Sequence, residues 1–192
     1  MSVAVVILAA GAGSRFNRDD PEAAPGAKLL HEVRGRPLVA WAIAPALEAG
    51  LDEVVVVDGA ADLGVVVPEG VTLLHNERWH DGQATSLRVA LDWCARQGHQ
   101  AAVIGLGDTS GLTPAAWRSI ATTPNGPMVF ATYEGRRGHP VRLDASVWPL
   151  LPTTGDEGAR ALASGRPELV REVPCVGAPA DIDIPEALTQ WN

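Results

Sequence analysis

The sequence lacks the long apolar runs and the excess of basic residues that mark several classes of protein. No apolar stretch approaches the roughly 20 residues that span a bilayer, which predicts that the chain has no transmembrane helix and no membrane partner. The formal net charge is −8, whereas a nucleic-acid-binding surface is usually basic, so we expect no nucleic acid partner. The first apolar run begins without a preceding basic segment, and we therefore expect no signal peptide.

Cysteine is also scarce, because only Cys94 and Cys175 occur and their spacing is not that of a metal site. We interpret both as buried and chemically uninvolved side chains in a chain that works in a reducing cytoplasm. With 192 residues, 46% of them hydrophobic and 20% charged, the composition is that of a globular protein. We expect residues 1–192 to form a single domain with a sizeable core.

Apolar runs alternate with amphipathic segments along the chain. Continuous runs of this kind are typical of strands buried on both faces, as in a parallel sheet. Pro37 and Pro114 suit the first positions of two helices, and a third helix is expected to end near Gln97. The predicted strands are residues 3–10, 53–59, 71–75, 101–108 and 128–132.

The first predicted strand leads into Gly11 and Gly13, two residues without a Cβ atom that allow backbone N–H groups to approach a bulky anion. Arg15 and Lys28 add two positive charges close to this turn, and the combination predicts a phosphate-binding cradle. An ordinary glycine turn is the alternative. The dinucleotide fingerprint does not fit because Phe16 occupies its third glycine position, and a Walker loop does not fit because Lys28 lies too far downstream.

The segment from Asn76 to Arg88 follows the third predicted strand, at the edge where open α/β sheets bind ligands. Gly82 permits a tight backbone there, and Thr85 or Ser86 can offer a hydroxyl group to a base or ribose or cap the following helix. His80 is more typical of a solvated loop than of a catalytic site.

Carboxylates end the fourth predicted strand and recur near the carboxyl end of the sequence. Asp108 requires a partner if it is buried, and a Mg²⁺ ion that bridges nucleotide phosphates is one natural partner. Capping of the next turn is the alternative. Asp183 can join Asp108 on the metal, whereas Asp181 either caps or orients. We predict that Pro185 begins a terminal helix.

Two polar, glycine-flanked segments follow the fifth predicted strand. We interpret residues 134–141 as a loop whose Arg137 and His139 can hold the phosphate of a second substrate. The turn at residues 154–160 adds Glu157 and Arg160. The alternative for either segment is a solvent-exposed loop without a binding role, but two such segments in succession favour the wall of a pocket.

Read in order, these motifs resemble the molybdenum cofactor cytidylyltransferases. They are L-A-A-G-x-G-S-R-F with K-L-L, N-x-x-W-x-x-G-x-x-x-S-L-R, G-D, R-G-H-P-V, G-D-E-G-A-R and D-I-D-x-P-E. Ala9 and Ala10 are similar to the cytidylyl form of the family. The resemblance implies a three-layer α/β/α, mostly parallel, doubly wound sheet of the glycosyltransferase A-like type. It also implies Mg²⁺-dependent transfer of CMP from CTP to the terminal phosphate of molybdopterin.

The resemblance also assigns roles to residues. It implies that Arg15, Lys28 and Asp108 are catalytic and that Asp108 and Asp183 hold Mg²⁺. The residues that it places on the substrates are Ala9, Ala10, Gly11, Gly13, Ser14, Arg15, Lys28, Gly82, Ser86, Arg137, His139, Glu157 and Arg160. The chain departs from the family pattern at Thr109, Ser110 and Ile184.

Other functions are compatible with the same motifs. The acceptor can be another phosphorylated compound such as a sugar phosphate, which would keep the glycine turn and change the residues around 137–160. A redox enzyme of the nicotine blue oxidoreductase type shares the fold. A non-catalytic nucleotide-binding chaperone that delivers cofactor to a molybdenum enzyme is a third alternative, and fold alone does not separate these functions.

Overall fold

The computed structural model describes residues 1–14, 24–177 and 179–181. Short 3₁₀ turns lie at Trp79–Asp81, Ala145–Leu150 and Pro167–Leu169. The helices in the described residues are α1 (Ala27–Leu30), α2 (Leu38–Glu48), α3 (Gln83–Arg96), α4 (Pro114–Thr122) and α5 (Ala159–Gly165). The strands are β1 (Val3–Leu8), β2 (Glu32–Val33), β3 (Arg36–Pro37), β4 (Glu53–Asp58), β5 (Thr72–His75), β6 (Ala101–Leu106), β7 (Thr109–Ser110), β8 (Met128–Tyr133), β9 (Arg136–Asp144), β10 (Val170–Pro174) and β11 (Ala180–Asp181).

Seven of these strands form one central sheet in the order β10-β8-β9-β6-β1-β4-β5. All of its strands are parallel except β9, which pairs antiparallel with both β6 and β8. Two smaller antiparallel pairs join β2 to β3 and β7 to β11. The mostly parallel sheet predicted from the apolar runs is thereby confirmed.

Helices cover both faces of the sheet because alternate side chains of each strand point to opposite sides. Val5 and Ile7 of β1 pack in the cluster that includes α2 and α4, whereas Ala4 and Val6 pack in the cluster that includes α3 and α5. All six residues of β1 are buried, so the first strand lies between the two helical layers. This is the predicted three-layer α/β/α arrangement.

The chain reverses its direction of travel across the sheet at β1. From β1 it proceeds to β4 and β5 on one side, and it then returns to place β6 on the other side of β1. The loops that follow β1 and β6 therefore diverge at the carboxyl edge of the sheet. This is the position at which open α/β sheets bind their ligands.

The interpretation of residues 134–141 as a loop is wrong, because most of this segment belongs to β9. Glu134 and Gly135 both have positive φ, at 51° and 77°, and they form the tight turn of a hairpin between β8 and β9. Pro140 lies where the β8–β9 register shifts, with Phe130 opposite Val141 and Ala131 opposite Gly138. Such an irregularity accommodates a residue without an N–H group, which is why a proline occurs inside a strand.

Two smaller predictions also need correction. Pro37 precedes α2 as its N-cap residue instead of occupying the first helical position. Cys94 is buried as predicted, but Cys175 is only partly buried because it follows β10 at the edge of the sheet. The predicted terminal helix lies outside the described residues.

Burial raises the pKa of both thiols, that of Cys94 to about 12. Both groups are thus protonated at neutral pH, as suits chemically uninvolved side chains. No helix in residues 1–14, 24–177 and 179–181 is long and apolar enough to cross a membrane.

Candidate active site

The turn after β1 exposes backbone at the carboxyl edge of the sheet. Gly11 has no atom within 4 Å of the position that a Cβ would occupy, so this part of the turn faces open space. Gly13 has a φ of +66°, and a Cβ there would lie 3.0 Å from Cβ of Lys28. The N–H of Gly26 donates to the carbonyl of Ala12 at 2.8 Å, which fastens the turn to the segment that begins α1. The glycine turn and Lys28 are therefore one packed unit.

Gly107 brings the end of β6 against the end of β1. Its N–H donates to the carbonyl of Leu8 at 2.9 Å, and a Cβ at this position would lie 2.9 Å from Cβ of Ala9. Only a residue without a side chain allows this approach. Asp108 consequently lies beside the glycine turn.

Lys28 and Asp108 form an ion pair with 2.6 Å between Nζ and Oδ2. The side chain of Lys28 is 5% exposed and that of Asp108 is 27% exposed, so the lysine is the more deeply buried partner. Lys28 is also the only lysine in a chain that contains 14 arginines. Two of the charged residues predicted for the site thus lie together.

A buried asparagine stabilises the opposite wall. Nδ2 of Asn76 donates to the hydroxyl groups of Thr85 and Ser86, each at 2.9 Å. The Thr85 hydroxyl also lies 2.8 Å from the carbonyl oxygen of Gly82 and 2.9 Å from that of Arg78. Thr85 therefore holds the 76–82 loop against the start of α3, and Ser86 lies beside it.

A second segment is fastened to this wall through Gly82. Gly82 has a φ of +104°, and a Cβ there would lie 2.5 Å from the carbonyl carbon of Gly155. Ala84 N–H donates to the Gly155 carbonyl at 2.9 Å, and Gly155 N–H donates to the carbonyl of Asp81 at 3.0 Å. The Asp156 carboxylate accepts a hydrogen bond from Gln83 N–H at 3.2 Å. The glycine is required here because two backbones meet.

Two adjoining clefts result from this arrangement. The first, which we call the glycine-turn cleft, has a volume of about 390 Å³. It is lined by Trp79, His80 and the predicted residues Ala9, Ala10, Gly11, Gly13, Ser14, Lys28, Gly82, Ser86 and Asp108. The second, the β9 cleft, has a volume of about 540 Å³ and is lined by Arg137, His139, Glu157 and Arg160 above an apolar floor.

The two clefts meet at a shared set of residues. Asp108, Gln83 and Asp156 line both of them, together with Leu8 and Leu106. A ligand in one cleft can therefore reach a ligand in the other across Asp108. Asp156 and Gln83 had no predicted role, although the flanking glycines of the 154–158 turn are a signal of a tight approach.

The polar residues of the β9 cleft are oriented by neighbours. Nδ1 of His139 lies 3.2 Å from the carbonyl oxygen of Ile104, an acceptor that requires the proton to be on Nδ1. Tyr133 donates its hydroxyl proton to the carbonyl of His139 at 2.9 Å. Burial raises the pKa of Tyr133 well above its usual range, so this phenol remains a donor throughout the neutral range.

Arg137 has interactions of its own at the entrance of the β9 cleft. Its Nε lies 2.5 Å from Oε1 of Glu172, and its guanidinium lies 5.3 Å from the ring centroid of Phe130. Glu157 and Arg160 are exposed on the opposite side, at the start of α5. The second cleft thus combines exposed charge at its entrance with the apolar side chains of Leu87, Ile104, Phe130 and Val141.

Two predicted residues lie outside the described residues, namely Arg15 and Asp183. The strand β11 nevertheless leads toward Asp108, because Asp181 pairs with Thr109 and Ala180 with Ser110. Thr109 and Ser110, where the chain departs from the family pattern, form the short buried strand β7. In the part of the chain that the structure describes, no three His, Cys, Asp or Glu side chains cluster as a metal site.

Comparison with known proteins agrees with this fold. Residues 5–171 match the family model described as MobA-like NTP transferase domain. The chain is 33% identical over 183 residues to the nicotine blue oxidoreductase of Paenarthrobacter nicotinovorans, covering 88% of this chain and 85% of the relative.

Among solved structures, Rv0371c from Mycobacterium tuberculosis H37Rv is 26% identical, with a TM-score of 0.80 and coverage of 99% and 97% of the two chains. The same protein has been solved as a complex with manganese, with a TM-score of 0.78 and coverage of 100% of this chain and 98% of the other. A nucleotidyl transferase from a Methanothermobacter species has a TM-score of 0.78 at 22% identity, covers 100% and 99% of the two chains, and shares the fold.

Proposed function

This chain belongs to the MobA-like NTP transferase domain family, a family of nucleotidyltransferases, and we propose that it transfers CMP from CTP to the terminal phosphate of molybdopterin. The observation that carries the proposal is the junction of the two clefts at Asp108. A transfer reaction needs two binding sites whose reacting groups meet, and binding in a fixed orientation supplies much of the rate. A protein that only sensed a nucleotide would need only one of the clefts.

The glycine-turn cleft suits the triphosphate. The open backbone at Gly11 can place an N–H group on a phosphate oxygen, while Gly13 lets the Lys28 stem approach so that its ammonium group can add a positive charge. Ala9, Ala10 and Ser14 complete this wall of the cleft, while Gly82 and Ser86 face it from the other side. We assign Arg15 to the same phosphates on the strength of the motif.

The residues at the junction fit a divalent cation. Mg²⁺ is commonly held by one or two protein carboxylates together with substrate phosphates and waters, so the carboxylate of Asp108 with one further ligand suffices. Asp183, two residues beyond β11, is the proposed second ligand. When bound, the ion would neutralise charge on the triphosphate and favour departure of pyrophosphate.

The β9 cleft suits the acceptor. Its floor is apolar and can cover a flat ring system, whereas Arg160 and Arg137 can bind a terminal phosphate at the entrance. The hydrogen bond from Nδ1 of His139 to the carbonyl of Ile104 fixes the orientation of this ring in the cleft. We propose that His139 and Glu157 bind polar groups of the acceptor.

The chemistry requires no proton transfer to or from the nucleophile. An oxygen of the acceptor phosphate forms a bond to the α-phosphorus of CTP, and the bond from that phosphorus to the bridging oxygen of the β-phosphate breaks. The electron pair of the broken bond leaves with pyrophosphate. Lys28, Arg15 and the glycine-turn N–H groups offset the charge on the reacting phosphates.

Pyrophosphate release tests the proposal. We expect release with CTP, Mg²⁺ and molybdopterin together, and none when the acceptor is omitted. Replacing CTP with GTP, ATP or UTP tests which base is preferred, and replacing molybdopterin with a sugar 1-phosphate tests which acceptor is used. Binding of nucleotide without release under every combination would contradict catalysis and favour a nucleotide-binding chaperone.

A second candidate is a redox reaction, because the chain is 33% identical to a protein named nicotine blue oxidoreductase. A redox enzyme of this kind is expected to oxidise a reduced nicotinamide cofactor and to transfer the two electrons to an organic dye, which is thereby reduced. Loss of NADH or NADPH absorbance at 340 nm in the presence of the dye, without pyrophosphate release from any triphosphate, would favour this function.

A further inference from the structure

The ion pair between Lys28 and Asp108 links the binding of a metal ion to the binding of nucleotide. Both side chains line the glycine-turn cleft, and Asp108 also lines the β9 cleft. The lysine is therefore held by the same carboxylate that the proposed function assigns to the metal. A metal ion and the Lys28 ammonium group would compete for one carboxylate.

The stem of Lys28 is fixed, so only its ammonium group can change partner. The residue lies in α1 with 5% of its side chain exposed, and its Cβ packs against Gly13. The N–H of His31 donates to the carbonyl oxygens of Ala27 and Lys28, which closes the short helix. An ammonium group anchored in this way can reach Asp108 or a phosphate in the adjoining cleft.

We propose that Lys28 couples metal binding to nucleotide binding by neutralising Asp108 until nucleotide phosphates take over its ammonium group. The inference rests on the proposed function. A divalent ion that arrives alone displaces a buried ammonium from its anion, which is unfavourable. A triphosphate that binds alone takes the Lys28 ammonium group from Asp108, and the carboxylate is then repelled by the negative charges of the phosphates. When both arrive, the two ion pairs exchange partners and every charge keeps a counter-charge.

This exchange predicts that each ligand strengthens the binding of the other by the same factor, as linkage requires. Couplings of this kind are commonly about 5-fold to 150-fold, and we expect at least about 10-fold here. Mn²⁺ serves as the probe because its free ion is detected directly by electron paramagnetic resonance. Its affinity is measured without and with saturating CTP, and that of CTP is measured with EDTA and with Mn²⁺.

Two substitutions at Lys28 form a matched pair. We expect Lys28→Met to bind Mn²⁺ alone about 10-fold more tightly than wild type, because the Lys28 ammonium group no longer competes for Asp108. Lys28→Arg keeps the charge and is expected to bind Mn²⁺ alone as weakly as wild type. Lys28→Gln gives a second neutral side chain should Lys28→Met fail to fold. Equal Mn²⁺ affinity in the charged and neutral variants would overturn the proposal.

The wild-type protein supplies an independent test because it has one lysine. In protein labelled with ¹⁵N-lysine, the single ε-ammonium resonance should shift when CTP and Mg²⁺ are added together and change little with Mg²⁺ alone. A full shift with Mg²⁺ alone would contradict the exchange. If no nucleotide binds, the proposed function fails, whereas the Mn²⁺ comparison between the Lys28 variants still decides whether Lys28 competes for Asp108.

Discussion

The glycine-turn cleft and the β9 cleft adjoin one another but are built in different ways. The first is formed by the ends of neighbouring parallel strands, where glycines at 13 and 107 allow backbone to approach backbone or a lysine stem. The second is formed by the antiparallel hairpin of β8 and β9 in the same sheet and by a distant turn, which is fastened to the first cleft at Gly82 and Gly155. The difference teaches that the ends of parallel strands position one site, whereas a hairpin and a long-range contact between loops position the other.

Substitution of Asp108, one of the residues that line both clefts, should have the largest effect. We expect Asp108→Asn to reduce nucleotide transfer by about 10³-fold, because it removes the carboxylate proposed to hold the metal at the junction. The measurement is the rate of pyrophosphate release. The control is Asp92→Asn, a change at an exposed carboxylate of α3, which should leave the rate unchanged. Equal rates for the two variants would remove Asp108 from the reaction.

The connection between the clefts can be broken at Gly82. Gly82→Ala should lower the free energy of unfolding by at least about 2 kcal/mol more than Gly98→Ala, as measured in urea. Both glycines have positive φ, but a Cβ at 82 meets the backbone of Gly155, whereas a Cβ at 98 meets nothing within 4 Å. Equal losses would show that backbone conformation alone, and not contact with Gly155, requires the glycine.

A substitution in the β9 cleft should affect the acceptor and leave nucleotide binding unchanged. Arg160→Ala should raise the KM for the acceptor about 10-fold while the affinity for CTP stays the same, because Arg160 lines the β9 cleft and not the glycine-turn cleft. Arg166→Ala provides the control, since that exposed arginine pairs with Glu168 outside both clefts. A rise in the KM for the nucleotide instead would mean that the two clefts are not functionally separate.

The smallest effect on either cleft is expected from the opposite edge of the sheet. Desolvation alone would raise the pKa of Glu53, but hydrogen bonds from His99, Thr72 and Trp93 outweigh it and hold that pKa below its usual value. A carboxylate with a lowered pKa contributes stability above its unfolded-state pKa and loses it as the pH falls through the folded value.

We therefore expect the wild-type protein to lose stability below about pH 4.5, the ordinary pKa of a glutamate, and Glu53→Gln to flatten this part of the profile. The measurement is the urea midpoint between pH 3 and pH 7 for both proteins. The Kd for CTP at pH 7 should be the same in both. A loss of CTP binding in the variant would contradict the separation between this edge and the clefts.

The sequence predicted the parts of the fold that depend on local pattern. Buried strands such as β1 and β6 are continuous apolar runs, and Thr113 caps α4 through a hydrogen bond from Ala116 N–H at 3.1 Å, next to the predicted proline. The glycine turn could be recognised because glycines and an adjacent strand end are local signals.

The remainder depends on contacts between distant residues. The strand β9 was missed because glycine and proline within it are ordinarily signs of a loop, and only pairing with β8 shows that they lie at a register shift. Asp156 was missed because its place at the junction depends on a contact with Gln83, 73 positions earlier in the chain. No local pattern specifies the partner of such a turn.

Transfer of label from [α-³²P]CTP decides between catalysis and binding alone. With Mg²⁺ and molybdopterin present, we expect the label to move to the acceptor in a one-to-one ratio with pyrophosphate, and the Asp108→Asn variant to transfer about 10³-fold more slowly. If the label stays in CTP while the protein remains folded and nucleotide-bound, the junction of the two clefts does not carry out a transfer reaction.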